Sequence, residues 1–219
     1  MSPDFSLACL YEDEHLVVLD KPSGLLSVPG RGPEKQDCLI QRALLRWHDA
    51  LVVHRLDMAT SGLIILARSK DVQRSLGDAF AARLIHKRYT AIVDGVPVLP
   101  EGCPWGWVDA PLICDWERRP LQKIDHTVGK PSQTRFCIVP SQDGVPAGST
   151  KLWLEPITGR SHQLRVHMQH IGHAMLGDAL YASNAVRDRS PRLCLHATDL
   201  QFDHPVTQQS IEVHSPAPF

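Results

Sequence analysis

The apolar residues of this chain come in short runs, and that limits its fold more than any other feature. Leu16-Val17-Val18-Leu19, Leu51-Val52-Val53 and Leu63-Ile64-Ile65-Leu66-Ala67 are strand-sized. All fall far short of the ~18 consecutive apolar residues of a membrane span, so the chain is expected not to enter a membrane. Short runs bounded by Gly, Pro, Asp or Ser read as strands. Lys21-Pro22-Ser23-Gly24 ends the first, and Pro29, Gly30, Gly32 and Pro33 mark a loop over 24–37. Further strands are predicted at Arg88–Val93, Ser132–Val139 and Ser149–Pro156, and near 193–202 and 209–214. Helices are predicted over 38–47, capped by Asp37, then from Ser69 and Asp71 onward, and over Ser161–Ile171 with Gly172 closing the last. Strands outnumber helices and often follow one another. This pattern predicts an α+β protein, with a mixed, largely antiparallel sheet flanked by helices and loops. Residues 94–133, rich in Gly and Pro, read as an inserted arm or a long pair of loops. A length of 219 residues fits one domain spanning 1–219.

Charge and cysteine content narrow the class of protein. The net charge of −1 does not advertise a nucleic-acid binder, but binding depends on local patches. The cations are clustered: Arg83, His86, Lys87 and Arg88; Arg118, Arg119 and Lys123; Arg160, His162, Arg165 and His167. Each cluster reads either as a solvated face or as part of a phosphate-binding groove. The six cysteines form no C-x-x-C pair and no zinc-spaced set with histidines, so reduced thiols and no metal are expected. Asp and Glu interrupt the N-terminal segment, which lacks the pattern of a secretory signal. The expected location is the cytoplasm.

Two segments carry the candidate chemistry. His54-Arg55-Leu56-Asp57-Met58-Ala59-Thr60-Ser61-Gly62 sets an acid in a tight connection between two apolar runs. Asp57 there is either a catalytic carboxylate on a rigid scaffold or a structural turn residue. In Thr158–His167, helical spacing places Ser161 with Arg165, Gln163 with His167, and His162 with Arg165 on shared faces. Such a face can hold Arg165 against a carboxylate and turn polar groups toward phosphates, or it can be a solvated helix surface. His162 and His167, five apart, make a poor metal pair. Tyr89, after Lys87 and Arg88, can stack on a base while the cations hold phosphates, or pack in a core.

In this order the segments resemble the RluA family of pseudouridine synthases. The resemblance rests on Asp20–Gly30 (DKPSGLLSVPG), His54–Leu63 (HRLDMATSGL), Lys87-Arg88-Tyr89, Thr158–His167 (TGRSHQLRVH), Leu176–Tyr181 (LGDALY) and Leu195-His196-Ala197. It spans the chain from about residue 10 onward. It implies the pseudouridine synthase fold, with a catalytic cleft across the sheet and no separate N-terminal S4 domain. It implies isomerisation of uridine to pseudouridine in structured RNA without cofactor or metal. By that resemblance Asp57 is the catalytic carboxylate, Arg165 its partner, and Tyr89 stacks on the target base and serves in proton removal. Leu195 lines the uracil pocket, and Arg55 takes the place of the extruded nucleotide. His54 and Thr60 belong to the RNA-binding segment and shape its loop. Lys87, Arg88, Arg160 and His162 are the remaining expected RNA contacts. Pro111–Trp116 and the short length point to members acting on both large-subunit (23S) ribosomal RNA and tRNA anticodon stem-loops. The expected state is a monomer. Two alternatives stand beside this reading: a glycosidic-bond hydrolase, which would want a second carboxylate that the His54–Leu63 and Thr158–His167 blocks lack, and a non-catalytic RNA-binding or ribosome-assembly module.

Overall fold

Strands form where the short apolar runs lie. The computed structural model describes residues 7–219. In chain order it contains β1 (Ala8–Glu12), β2 (Leu16–Lys21), α1 (Leu39–Leu44), β3 (Leu51–Val52), β4 (Ser61–Ala67), α2 (Lys70–Ala81), β5 (His86–Asp94), β6 (Gly106–Asp109) and β7 (Leu112–Cys114). There follow β8 (Gln122–Ile124), β9 (Gln133–Ile138), β10 (Ser149–Pro156), α3 (Gln163–His170), α4 (Asn184–Arg187), β11 (Leu195–Asp203) and β12 (Ser210–His214). The backbone divides into two units, Met1–Lys87 with Ala197–Ala217, and Arg88–His196 with Pro218–Phe219.

In the first unit β2 pairs antiparallel with β1 on one side and β4 on the other, with Lys21 opposite Gly62. β3 also pairs with β4, and β12 with β11. All seven residues of β4 are buried, as are Leu16–Leu19. Continuous rather than alternating burial is why these strands read as unbroken apolar runs. Each fully buried Leu or Ile contributes roughly 1.5–3 kcal/mol over exposure, which makes β4 a firm base for the loop before it. The Ser69 hydroxyl accepts the Val72 N–H at the start of α2, as expected, and Val72 and Leu76 are buried.

α1 departs from expectation. Its N-cap is Cys38, without a side-chain cap bond. Asp37 instead accepts two hydrogen bonds from Arg42, at 2.8 and 2.6 Å. A carboxylate with a guanidinium five residues on has a charged partner to choose over backbone N–H groups.

The second unit carries antiparallel strands in the order β5-β10-β9-β6. The irregular 94–133 stretch thus resolves into β6, an added sheet strand, and a separate two-stranded ribbon, β7–β8. α3 packs on β9 and β10. It starts at Gln163 rather than 161 because His162 sits in the left-handed region at φ 55°. His167 is fully buried, bonded through Nδ1 to Thr134 Oγ1 and through Nε2 to Ala110 O, both at 2.9 Å. The architecture is α+β with a largely antiparallel sheet, as the sequence predicts. The described cysteines are free thiols.

Candidate active site

The loop between β3 and β4 presents Asp57, and its main chain is pinned from several directions. Ser27 Oγ donates to Leu56 O at 2.7 Å and accepts the Leu56 N–H at 3.1 Å. Lys21, fully buried, donates from Nζ to Leu25 O (2.7 Å), Pro22 O (2.9 Å) and Met58 O (3.1 Å). Gly24 N–H also donates to Met58 O, at 2.8 Å, and Ser23 Oγ to Ala59 O, at 2.7 Å. Within the loop, Thr60 N–H donates to Asp57 O at 3.1 Å. The residues on both sides of Asp57 are therefore held by the Lys21–Ser27 segment. A buried ammonium is costly unless its donors are matched, and three carbonyls match them here.

The far end of the loop is fixed by close approach. Gly62 has φ +107°, and a Cβ there would lie 2.4 Å from Ala197 O. Thr60 and Ser61 are buried, Asp57 is half-buried and Arg55 is exposed. His54 Nε2 accepts the Ile65 N–H at 2.9 Å, and its ring packs on Phe80 with centroids 4.5 Å apart. Desolvation, with the nearby Lys87 charge, pulls its pKa down to about 3. His54 is thus neutral and structural, with the remaining ring proton on Nδ1. Lys87, its Nζ 5.6 Å from the Phe80 ring centre, also has its pKa lowered by desolvation.

In the second unit a buried ion pair orients Arg165. Nε and Nη2 donate to Asp178 Oδ2 and Oδ1 at 2.8 and 2.6 Å, and the two side chains are 4% and 1% exposed. Asp178 Oδ1 also accepts the Leu180 and Tyr181 N–H groups. The Arg165 guanidinium lies 5.1 Å from the Tyr181 ring centre, and the Tyr181 hydroxyl shares a 2.6 Å hydrogen bond with His162 Nδ1. A bidentate pair so surrounded presents a cation in one orientation. Gln163 knits the neighbouring turn: Oε1 accepts from Thr158 Oγ1 and Arg160 N–H, and Nε2 donates to Gln133 O and Thr134 Oγ1.

The remaining predicted residues are spread along this unit. Tyr89 stands on β5 opposite Leu154, half-buried. Leu195 is buried at the start of β11. Arg160 is exposed, with Nε 3.4 Å from Pro131 O. Arg88 donates to the buried Glu155 at 2.9 Å from Nε and 2.8 Å from Nη2. Arg135 holds the other oxygen of the same carboxylate. His54, Arg55, Asp57 and Thr60 thus share one loop of the first unit. His162 and Arg165 share one cluster of the second. Lys21, Ser23, Ser27, Asp178 and Tyr181 complete these networks without having been assigned a role from sequence. A lysine closing an apolar strand, and an acid in Leu176–Tyr181, were the available signals. Among the described residues no group of three or more His, Cys, Asp or Glu side chains is arranged to hold a metal ion, and no helix is long and apolar enough to cross a membrane.

The first unit thus holds a carboxylate on a pinned loop that carries no second carboxylate, and the second unit holds an arginine locked by a buried acid. Residues 15–170 match the model of the RNA pseudouridylate synthase family, and the chain belongs to that family. It is an RNA pseudouridine synthase, an isomerase that acts on uridine in RNA. It is 47% identical over 213 residues to the dual-specificity RNA pseudouridine synthase RluA of Escherichia coli K12, covering 97% of this chain and 94% of the relative. It is 43% identical over the same span to the RluA of Haemophilus influenzae. Among solved structures, human RNA pseudouridylate synthase domain containing 1 superposes with a TM-score of 0.78 at 28% identity, covering 100% of this chain and 87% of the human one.

Proposed function

We propose that this enzyme modifies more than one class of structured RNA, large-subunit ribosomal RNA and tRNA anticodon stem-loops, with Asp57 as its catalytic carboxylate. The observation that carries the role of Asp57 is its position on a loop whose flanking carbonyls, at Leu56, Met58 and Ala59, are all tied down by side chains of another segment. Catalytic groups need this kind of fixed geometry, since a misplacement of about 1 Å costs on the order of 10²-fold in rate. The dual-specificity relatives at 46–47% identity support more than one RNA target, and the resemblance at Pro111–Trp116 suggests which two.

The reaction is atom-balanced. The N1–C1′ bond of uridine breaks, the uracil turns, C5 bonds to C1′, the C5 proton leaves and N1 gains one. Asp57 assists by attack on C1′, by attack on the base, or as the base that forms a glycal. Tyr89 stacks on the extruded uracil and serves in proton removal, Leu195 walls its pocket, and Arg55 takes its place in the RNA. Arg165, locked by Asp178, is the residue that the family resemblance pairs with Asp57. His54 and Thr60 hold the loop, while Lys87, Arg88, Arg160 and His162 add to the RNA-facing polar surface. On this reading the enzyme works as a monomeric, single-domain catalyst in the cytoplasm.

Tritium release from ribosomal and anticodon stem-loop RNAs carrying 5-tritiated uridine tests the proposal. Release from both RNAs that Asp57→Asn abolishes is the expected result. Full release by Asp57→Asn removes Asp57 from catalysis. Free uracil in place of released tritium makes the chain a hydrolase, and RNA binding with neither product makes it a binding module.

A further inference from the structure

The β7–β8 ribbon carries groups that the chemistry above leaves unused. At its tip Trp116 is 65% exposed. The Arg119 guanidinium lies over the ring, 4.2 Å from its centre, and Arg119 Nε donates to Trp116 O at 3.2 Å. Asp115 is buried and paired with Arg118, which donates to it at 2.8 Å. Arg119 and Lys123 are both exposed.

The tip is also rigid. Asp115 N–H donates to Leu121 O, Arg118 N–H to Asp115 O, and Leu121 N–H to Arg118 O, all within 3.2 Å. Where the turn enters β8, Gln122 N–H donates to the Tyr181 hydroxyl at 2.8 Å. That is the hydroxyl bonded to His162, on the ring beside Arg165. The ribbon is therefore anchored to the Arg165 cluster through one side chain.

We propose that this ribbon is an RNA-contacting finger: Trp116 stacks on an unpaired base of the substrate other than the target uridine, and Arg119 and Lys123 hold the adjoining phosphates. An exposed aromatic with flanking cations on a preorganised backbone is the chemistry that binds unstacked bases, whatever their sequence. Sequence tolerance of that kind suits an enzyme that accepts different RNAs. The proposal rests on RNA being the substrate, as argued above.

The test compares wild type, Trp116→Ala and Trp116→Phe on one anticodon stem-loop transcript, measuring tritium-release kinetics, RNA affinity and intrinsic fluorescence. Loss of one stacked base predicts that Trp116→Ala raises KM and Kd by about 5-fold to 150-fold, with kcat within about twofold of wild type. Trp116→Phe recovers most of the loss. RNA quenches wild-type fluorescence, and Trp116→Phe removes the part of that quench due to Trp116. Unchanged KM and Kd in Trp116→Ala overturn the proposal, as does a quench that Trp116→Phe leaves intact. If Trp116→Ala were to unfold, the Phe variant and the quench would still decide. A wild type that binds this RNA without releasing tritium refutes the function proposed above, while Kd and the quench still judge the ribbon.

Discussion

His54 makes a pH-dependent contribution to stability that can be isolated by one substitution. Its Nε2 already accepts the Ile65 N–H at 2.9 Å. Protonation would set two N–H groups against each other, in a desolvated place near the Lys87 charge. The folded pKa is accordingly about 3, against an ordinary value of 6.5. Between those two values the unfolded chain binds a proton that the folded chain refuses. Stability contributed by His54 is thus complete above pH 6.5 and is lost as pH falls toward 3. Each pH unit in the window is worth about 1.4 kcal/mol, so pH 5 costs about 2 kcal/mol relative to pH 7.5. Burial lowers the His167 pKa as well, with the same sign, so wild type alone cannot assign the effect. His54→Gln keeps an acceptor for Ile65 and removes the titration. Urea unfolding of both proteins at pH 7.5, 6 and 5 gives a difference from which His167 and the carboxylates cancel. The expected difference shrinks by about 2 kcal/mol between pH 7.5 and 5. A difference that does not change with pH refutes the assignment of His54 as neutral and desolvated.

Two further substitutions examine the scaffold around Asp57. Lys21→Met removes the donor shared by Pro22 O, Leu25 O and Met58 O; kcat in the tritium assay is expected to fall on the order of 10²-fold, with KM little changed, and a wild-type kcat would show that the clamp does not position the carboxylate. Gly62→Ala combines a φ of +107° with a Cβ 2.4 Å from Ala197 O; strain plus overpacking predict a loss of about 2–6 kcal/mol in chemical denaturation, and wild-type stability would contradict that close approach.

What the sequence made legible was whatever has a local signature. The apolar runs at 16–19 and 63–67 became β2 and β4, and Ser69 capped α2, because side-chain periodicity and capping act over a few residues. The Asp57 loop stood out because its residues are contiguous. Partners distant in the chain were another matter. Lys21-Pro22-Ser23-Gly24 reads as a turn, and nothing local says that its lysine is buried against Met58 O, 37 residues on. Arg88 reads as a free cation, whereas Glu155, 67 residues away, takes its guanidinium. Asp37 reads as a cap until Arg42 claims it. In each case a long-range or charged partner competes with the local preference and wins.

The Lys21–Ser27 clamp grips carbonyl oxygens, and this leaves a freedom at Met58 and Ala59. Met58 is 52% exposed, and the bonds to both residues involve only their main chain. Exchanging those side chains changes what the loop shows to RNA without loosening its hold on the carboxylate. A spin label attached through Met58→Cys would therefore report on substrate arrival, one residue from the carboxylate proposed to be catalytic.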